Sequence, residues 1–321
     1  MSAAKEAHVE FVTLDVFTSK RYEGNPLGVV KVPKSSSLTQ EQKQEIAREF
    51  NLSETTFWHH PTVAGELPTW TVDIFMTTKE LPFAGHPTIG TACYLLSGVA
   101  KDRGLKEGTV KGQFNIKAGK ISLEYDIVSK RARAGIPHNV HVHKKTWGQQ
   151  DLANLQPRLA QKSKDEAFEL KHSYPIVSIV KGMTFVLIEL PSLEALELVT
   201  TASQSIHVEG LDEGWGPSFV GMYFFIRQAD RLDGTRVLRT RMIEGTLEDP
   251  ATGSAATDLA AYLSLVDGRA GQTLRYEVVQ GVEMGRKSNI GVEVVLAEES
   301  RIADVYLEGS AVQVMEGRLA V

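Results

Sequence analysis

Short runs in which β-branched, aromatic and other apolar residues alternate with polar ones occur along most of this chain. Such runs are typical of β-strands in a sheet with one buried face. Pro-, Gly- and Asn-containing segments such as Glu23–Pro26 separate several of them and indicate turns. We predict strands at 9–17, 28–32, 54–58, 70–76, 113–117, 120–125, 176–180, 184–190, 221–227, 291–296, 302–307 and 311–315.

Helical patterns are fewer. Thr39–Gln42 has the form of a capping box, and Ile46 and Phe50 follow at helical spacing, so we predict a helix that ends near Asn51. A polar stretch within 144–173 predicts one or two surface helices near a domain boundary, interrupted at Pro157.

The chain also contains an internal repeat at a spacing of 168 residues. Residues 80–97 align without a gap on 248–265, in the pattern E-x-P-x-x-G-x6-A-x-Y-L, with six identities in eighteen positions. In both copies a strand leads to a Pro- and Gly-containing turn and then to a helix rich in small and apolar residues. The repeat predicts two halves of similar fold, related by a pseudo-twofold axis.

The two repeated helices carry few charges, which is typical of a helix buried on all sides. We therefore expect each half to be one helix wrapped by a curved, mostly antiparallel sheet. Each helix begins at a glycine-containing turn, where first-turn amides and the helix dipole favour an anion. Two such sites facing each other would bind a small acidic molecule.

Composition and charge exclude several classes of function. The 321 residues are 42% hydrophobic and 23% charged with a net charge of −5, which argues against nucleic acid as the main partner. No run of 18 apolar residues predicts a membrane span, and the first eleven residues lack a signal-peptide core, so we expect a cytoplasmic protein. A single cysteine excludes an internal disulfide, a cysteine-based zinc site and any mechanism that needs two thiols.

Several side chains are candidates for chemistry, each with a structural alternative. His86 and Asp249 lie at the repeated turns. Each is either a functional group or a structural one that hydrogen-bonds the backbone at the end of the helix. Pattern alone makes Glu54 a solvated carboxylate and Cys93 a small core residue. His138, His141 and His143 are weak evidence for a metal site, and we predict none. The chain has no phosphate-loop or serine-hydrolase motif.

An ordered set of motifs resembles one known family. The motifs are Asp15–Phe17 with Gly24–Pro26, Ser53–Thr55, Gly85–Thr88, Glu248–Ala255, and Gln280–Gly281 with Met284–Arg286. In this order they resemble the PhzF-like proteins of phenazine biosynthesis, which have the diaminopimelate-epimerase-like fold. Any one motif is weak, but the ordered set covers nearly the whole chain.

The resemblance implies an α+β protein of two epimerase-like halves with the active site in the cleft between them. We place the halves at 1–140 and 141–321, and the last strand is a candidate to pack on the first half. The family's catalytic glutamate falls on Glu54, its supporting histidine and aspartate on His86 and Asp249, and its serine on Ser254. Amides near Gly85, Gly253 and Ser254 would bind the substrate carboxylate.

The resemblance also implies a reaction. The characterised PhzF enzyme isomerises trans-2,3-dihydro-3-hydroxyanthranilate by a glutamate-mediated proton shift without a metal or organic cofactor. We therefore expect a cofactor-independent isomerase, a homodimer as in many relatives, acting on a small carboxylate-bearing metabolite. The alternatives are an epimerase or racemase that uses carboxylate and histidine, a non-catalytic ligand-binding protein, and a metal-dependent hydrolase built on the His138 region.

Overall fold

The chain forms two compact units, Met1–Gly135 with Glu308–Val321, and Ile136–Leu307. The computed structural model describes residues 8–33, 38–60, 67–165, 168–299 and 301–321. The first seven residues, and 166–167 of the predicted polar stretch, therefore lie outside the described residues. Across the described residues, no helix combines the length and the apolar character that crossing a bilayer would require.

The first unit alternates strands with two helices. Its elements in chain order are β1 (His8–Val16), β2 (Asn25–Val32), α1 (Gln40–Phe50), β3 (Thr55–His59), β4 (Thr69–Phe75), β5 (Glu80–Leu81), α2 (Gly85–Asp102), β6 (Thr109–Ile116), β7 (Gly119–Asp126) and β8 (Arg131–Gly135).

The second unit begins with one extra strand and two short helices and then follows the same order. Its elements are β9 (His141–Gly148), α3 (Gln149–Leu155), α4 (Pro157–Lys164), β10 (Ser173–Val180), β11 (Met183–Glu189), α5 (Leu193–Glu197), β12 (Phe219–Arg227), β13 (Arg236–Glu244), β14 (Leu247–Asp249), α6 (Gly253–Asp267), β15 (Thr273–Gln280), β16 (Ser288–Leu296) and the start of β17 (Ile302–Ala320).

Strand pairing repeats from one unit to the other. β2 is parallel to β3 and β4 is parallel to β6, while β1–β2, β3–β4, β4–β5 and β6–β7 are antiparallel. The second unit has the same pattern with β10 to β16 in place of β1 to β7. The predicted repeat extends to the register of strand pairing. Ile74 pairs with Leu81 in the first unit, and the residues 168 positions later, Met242 and Asp249, pair in the second.

One apolar helix lies at the centre of each unit, as the sequence predicts. α2 packs against β1, β2, β3, β6, β7 and β8, and α6 packs against β10, β11, β15 and β16. Both helices are buried on most of their surface, including His86 and Thr91 in α2 and Thr257 and Asp258 in α6. Burial of the helix against the inner face of the sheet contributes hydrophobic stabilisation to each unit.

The predicted helical details match the structure closely. Thr39 and Gln42 form the capping box of α1, and the helix ends at Asn51 in the left-handed conformation. The polar stretch forms two helices, α3 and α4, with Pro157 as the first residue of α4. Proline is favoured at that position because its missing amide would have no partner in the helix.

The predicted strands at 302–307 and 311–315 are wrong as separate elements, because β17 is one strand of 19 residues. Gly309, which lies between the two predicted segments, allows a close approach to Phe17. A Cβ at this position would lie 2.4 Å from Cδ1 of Phe17. The strand continues past it, with Ser310 accepting a hydrogen bond from the Phe17 amide and Ala311 opposite Val16. The strands β5, β8, β9, β14 and β15 were not predicted.

Gly90 provides a test of the close packing around α2. A Cβ added there would lie 2.6 Å from both Leu27 Cδ2 and Val16 Cγ2, whose side chains are fully buried. We expect Gly90→Ala to lower the free energy of unfolding by about 1–3 kcal/mol.

The matched control is Gly98→Ala in the same helix, where a Cβ meets nothing within 4 Å. That change should raise the free energy of unfolding by up to about 1 kcal/mol, since alanine is the better helix former. Chemical denaturation of both variants measures the difference, and equal effects would contradict the packing argument.

Candidate active site

Glu54 lies between the end of α1 and the first residue of β3. The strand that follows is attached to the central helix by buried hydroxyls. Thr56 Oγ1 donates to the Gly28 carbonyl at 3.3 Å and lies 3.0 Å from Thr91 Oγ1 in α2. These contacts hold the start of β3, and therefore the backbone of Glu54, against the N-terminal half of α2.

His86 is the second residue of α2, in the helix's first turn. Ala84 occupies the N-cap position and provides no side-chain cap, so His86 is not a capping residue. Its imidazole is 6% exposed. The first-turn amides of a helix lack intrahelical acceptors and carry partial positive charge, so this end of α2 favours negative charge.

The structure brings the Glu54 and His86 side chains together. Glu54 Oε2 lies 3.7 Å from His86 Nδ1, and the Glu54 side chain is 16% exposed. Within the described residues, Oε2 is buried and accepts no hydrogen bond. Burial raises the pKa of the Glu54 carboxyl above its ordinary value, and a hydrogen bond with Ser53 opposes this shift only in part.

Such a carboxyl is suited to proton transfer. Its ionised form is poorly solvated, so it is a stronger base than a surface glutamate, and its acid form is populated closer to neutral pH. An oxygen without a hydrogen-bond partner is also available to a substrate. The solvated carboxylate that pattern alone predicts for Glu54 is therefore wrong.

The second repeated turn is held by a network around Asp249. Thr252 Oγ1 donates to Asp249 Oδ2 at 2.6 Å, and Gln280 Nε2 donates to the Asp249 carbonyl at 2.8 Å. Gly253 and Ser254 are the first two residues of α6, and Thr252 is its N-cap without a side-chain cap bond. Ser254, like His86, is therefore a first-turn residue and not a cap.

Gln280 is the centre of this network and was missed as a functional residue. Besides Asp249, its Nε2 donates to Thr252 Oγ1 at 3.0 Å, and its Oε1 accepts from Tyr223 Oη at 3.0 Å. The next residue, Gly281, has φ +73°, and a Cβ there would lie 2.6 Å from the Pro250 carbonyl oxygen. The Gln280–Gly281 pair was visible as part of the family pattern, but its partners are distant in sequence.

Cys93 is a core residue, as the sequence predicts. Its thiol is buried, donates to the Gly309 carbonyl at 3.5 Å, and has a pKa raised by burial to about 12. A thiol that stays protonated at neutral pH is not a nucleophile or a base.

The histidines of the 138–143 segment have different surroundings. His138 hydrogen-bonds the Ile136 carbonyl through Nδ1 at 2.9 Å. His141 and His143 instead lie with Asp212 in a cluster whose ligand atoms are within 4.8 Å of one another. Sequence spacing alone could identify the pair of histidines in β9, but not the carboxylate from a distant loop.

The chain is similar to known proteins over nearly its whole length. The family model described as phenazine biosynthesis-like protein, PhzC-PhzF, matches residues 14–317. The trans-2,3-dihydro-3-hydroxyanthranilate isomerase of Pseudomonas aeruginosa is 31% identical, with 96% of this chain and 98% of that protein covered.

Two solved structures resemble the fold. A phenazine biosynthesis protein of the PhzF family from Bacillus anthracis has a TM-score of 0.71 at 19% identity, covering 98% of this chain and all of that chain. A hydroxyproline epimerase from Agrobacterium vitis has a TM-score of 0.59 at 13% identity, covering 98% and 93%. The predicted resemblance, the epimerase-like α+β fold and the enzyme class of isomerase are confirmed.

We expect Gln280→Leu to lower the free energy of unfolding by about 2–4 kcal/mol, because Tyr223 Oη and the Asp249 carbonyl lose partners inside the protein. Hydrogen exchange of the amides at 249–254 should also become faster, since the turn loses its attachment to β15.

The control for this prediction is Gln161→Leu, on the exposed surface of α4, where the amide makes one hydrogen bond to Asp165. That substitution should change the free energy of unfolding by no more than about 0.5 kcal/mol. Chemical denaturation and hydrogen-exchange mass spectrometry measure both variants. Unchanged amide exchange at 249–254 in Gln280→Leu would contradict the conclusion that Gln280 holds this turn in position.

Proposed function

We propose that this chain, which belongs to the phenazine biosynthesis-like PhzC/PhzF family, moves a proton on a small carboxylate-bearing metabolite with Glu54 as general base and then general acid. The observation that carries the proposal is the buried Glu54 carboxyl, with an oxygen that accepts no hydrogen bond from the described residues, 3.7 Å from His86 at the start of α2.

The proposed reaction has two proton transfers. The Glu54 carboxylate takes a proton from one substrate carbon, and the C–H electron pair moves into the conjugated system of the substrate. The Glu54 carboxylic acid then returns a proton to a second carbon, which regenerates the carboxylate and completes the isomerisation. No oxidant, reductant or co-substrate is needed to balance these steps, so we propose a cofactor-independent reaction.

His86 and the N-terminus of α2 support the proton transfers by Glu54 because they stabilise negative charge. The imidazole is close enough to the Glu54 carboxylate to stabilise it, and first-turn amides such as that of Gly85 stabilise negative charge on the substrate. Because the imidazole is buried in the packed helix, it also limits how the carboxyl can rotate.

The remaining assignments come from the family resemblance. We propose that Asp249 orients a substrate amine or hydroxyl group and that the amides of Gly253 and Ser254 bind the substrate carboxylate. The Thr252 and Gln280 hydrogen bonds support this proposal, because they hold Asp249 in one position. The homodimer and the cytoplasmic location stay predictions.

The relative from Pseudomonas aeruginosa suggests the first substrate to test. We expect the wild-type protein in D2O to isomerise trans-2,3-dihydro-3-hydroxyanthranilate, or to exchange a C–H proton of a related cyclic amino acid, as followed by proton NMR. Glu54→Gln should be slower by about 10²–10⁴-fold, since the amide cannot accept the proton.

Glu49→Gln is the matched control, an exposed carboxylate of α1 that should leave the rate unchanged. Undiminished turnover in Glu54→Gln would refute the proposal. Exchange that inverts a stereocentre without moving a double bond would favour the epimerase alternative. Binding of these compounds without exchange in the wild type would favour a ligand-binding protein.

The raised pKa of Glu54 gives a test that needs no substrate. In ¹³C NMR of carboxyl-labelled protein, the resonance that disappears in Glu54→Gln should titrate with a midpoint above the ordinary glutamate pKa of 4.5. A midpoint at or below 4.5 would contradict the buried, poorly solvated carboxyl.

The same shift predicts a change of stability with pH. A folded-state pKa above the unfolded-state value means that the unfolded protein loses its proton first as pH rises. The wild type should therefore lose stability relative to Glu54→Gln between the two pKa values, by about 1.4 kcal/mol per pH unit at most. Thermal unfolding of both proteins across this range measures the difference.

A further inference from the structure

A cluster of two histidines and one aspartate in the second unit takes no part in the proposed reaction. His141 and His143 are two residues apart in β9, so their side chains lie on one face of the strand. Asp212 comes from the segment between α5 and β12. One ligand atom from each of the three residues lies within 4.8 Å of the others.

A chain of hydroxyl groups determines which nitrogen of His143 carries the proton. His143 Nε2 lies 2.9 Å from Ser178 Oγ, which lies 2.6 Å from Thr184 Oγ1, which lies 2.7 Å from Ser218 Oγ. Ser218 donates its proton to a backbone carbonyl. Each earlier hydroxyl therefore donates to the next, and Nε2–H donates to Ser178.

The other nitrogen, Nδ1, consequently has its lone pair directed toward Asp212, whose amide donates to it at 3.2 Å. A histidine ring oriented by an N–H bond on one nitrogen, with the other nitrogen as an acceptor, is the arrangement found in metal-ligating histidines. The 3.2 Å bond is at the long end of the normal range and is the one that a metal ion would replace.

His141 and Asp212 share a position that a metal ion could occupy. His141 Nε2 lies 2.8 Å from Asp212 Oδ2, a separation that accommodates one proton. Tetrahedral coordination at normal bond lengths separates a nitrogen and an oxygen ligand by about 3.4 Å, so the pair needs to open by roughly half an ångström. On binding of an ion the shared proton would leave to solvent, and the imidazole of His141 and the carboxylate of Asp212 would both serve as ligands.

Trp215 restrains the two imidazoles. Its ring stacks on His141 with a centroid distance of 4.6 Å and an interplanar angle of 11°, and it meets His143 edge-on at 5.9 Å. The rings of His141 and His143 are themselves nearly perpendicular, at 84°. Such restraint lowers the entropy that the side chains lose on binding an ion.

We propose that His141, His143 and Asp212 form a binding site for a divalent transition-metal ion of the zinc class. Two imidazole nitrogens and one carboxylate oxygen suit Zn²⁺, Co²⁺, Ni²⁺ or Cu²⁺, whereas Ca²⁺ and Mg²⁺ require more oxygen ligands. Three protein ligands leave a fourth position of a tetrahedral ion for water or an external ligand. His138 is not part of this site.

Equilibrium dialysis of the untagged full-length protein against Zn²⁺ tests the proposal. The wild type should bind one equivalent, and His143→Gln and Asp212→Asn should each weaken binding by about 100-fold or more. Asp212→Asn is the conservative variant in case His143→Gln fails to fold. His207→Gln is the control, because the His207 side chain is exposed and lies 3.8 Å from the equally exposed carboxylate of Glu209.

A second measurement uses Trp215 as a reporter. Cu²⁺ should quench part of the tryptophan fluorescence at one equivalent, and the quenched part should be lost in Trp215→Phe and strongly reduced at the same Cu²⁺ concentration in Asp212→Asn. The proposal would be overturned if Zn²⁺ does not bind stoichiometrically, or if binding and quenching are equal in wild type and Asp212→Asn. The cluster would then serve only as a hydrogen-bonded attachment of the 212–215 segment to β9.

Discussion

Burial of one helix inside each sheet is the constraint on which the rest of this structure depends. A helix that is apolar on nearly all sides must be enclosed, and the repeated order of strands before and after α2 and α6 encloses it. The enclosed helix cannot hide the polar amides of its first turn, which must face a polar group or a ligand. The fold therefore creates a polar position at the same point of each unit, next to the repeated Pro- and Gly-containing turn.

Glu54 shows how this constraint places a carboxyl where it is poorly solvated. The hydroxyls of Thr56 and Thr91 hold the start of β3 against α2, which brings the carboxyl into a site with little solvent. Burial raises its pKa, and a buried carboxyl oxygen, Oε2, without a hydrogen-bond partner among the described residues costs stability. Proteins keep such strained groups mainly where function requires them. The imidazole of His86 lies 3.7 Å from the same carboxyl oxygen.

The sequence was sufficient for features that depend on local pattern and on the repeat. It predicted the α1 capping box, the two central helices and the residues at both turns. It failed where a residue's role depends on a distant partner. Gly309 accommodates the Phe17 ring from the other end of the chain, and Gln280 makes its bonds to residues 28 to 57 positions away. The carboxyl of Glu54 was recognised by family resemblance, since no local pattern encodes burial of a polar side chain before a strand.

The two units also differ in a way that follows from the same packing. The repeat aligns Gly90 of α2 with Asp258 of α6. At the first position a glycine allows the helix to approach Val16 and Leu27, while at the second a carboxyl is fully buried, and burial raises its pKa well above the ordinary value. The body of the helix has therefore tolerated replacement of a glycine hydrogen atom by a fully buried side chain whose carboxyl is disfavoured in the ionised form by burial. The first turns kept their glycines, because a glycine there leaves the amides accessible. Divergence in the helix body combined with retention at its N-terminus is what we expect if the chemistry is located at the turns.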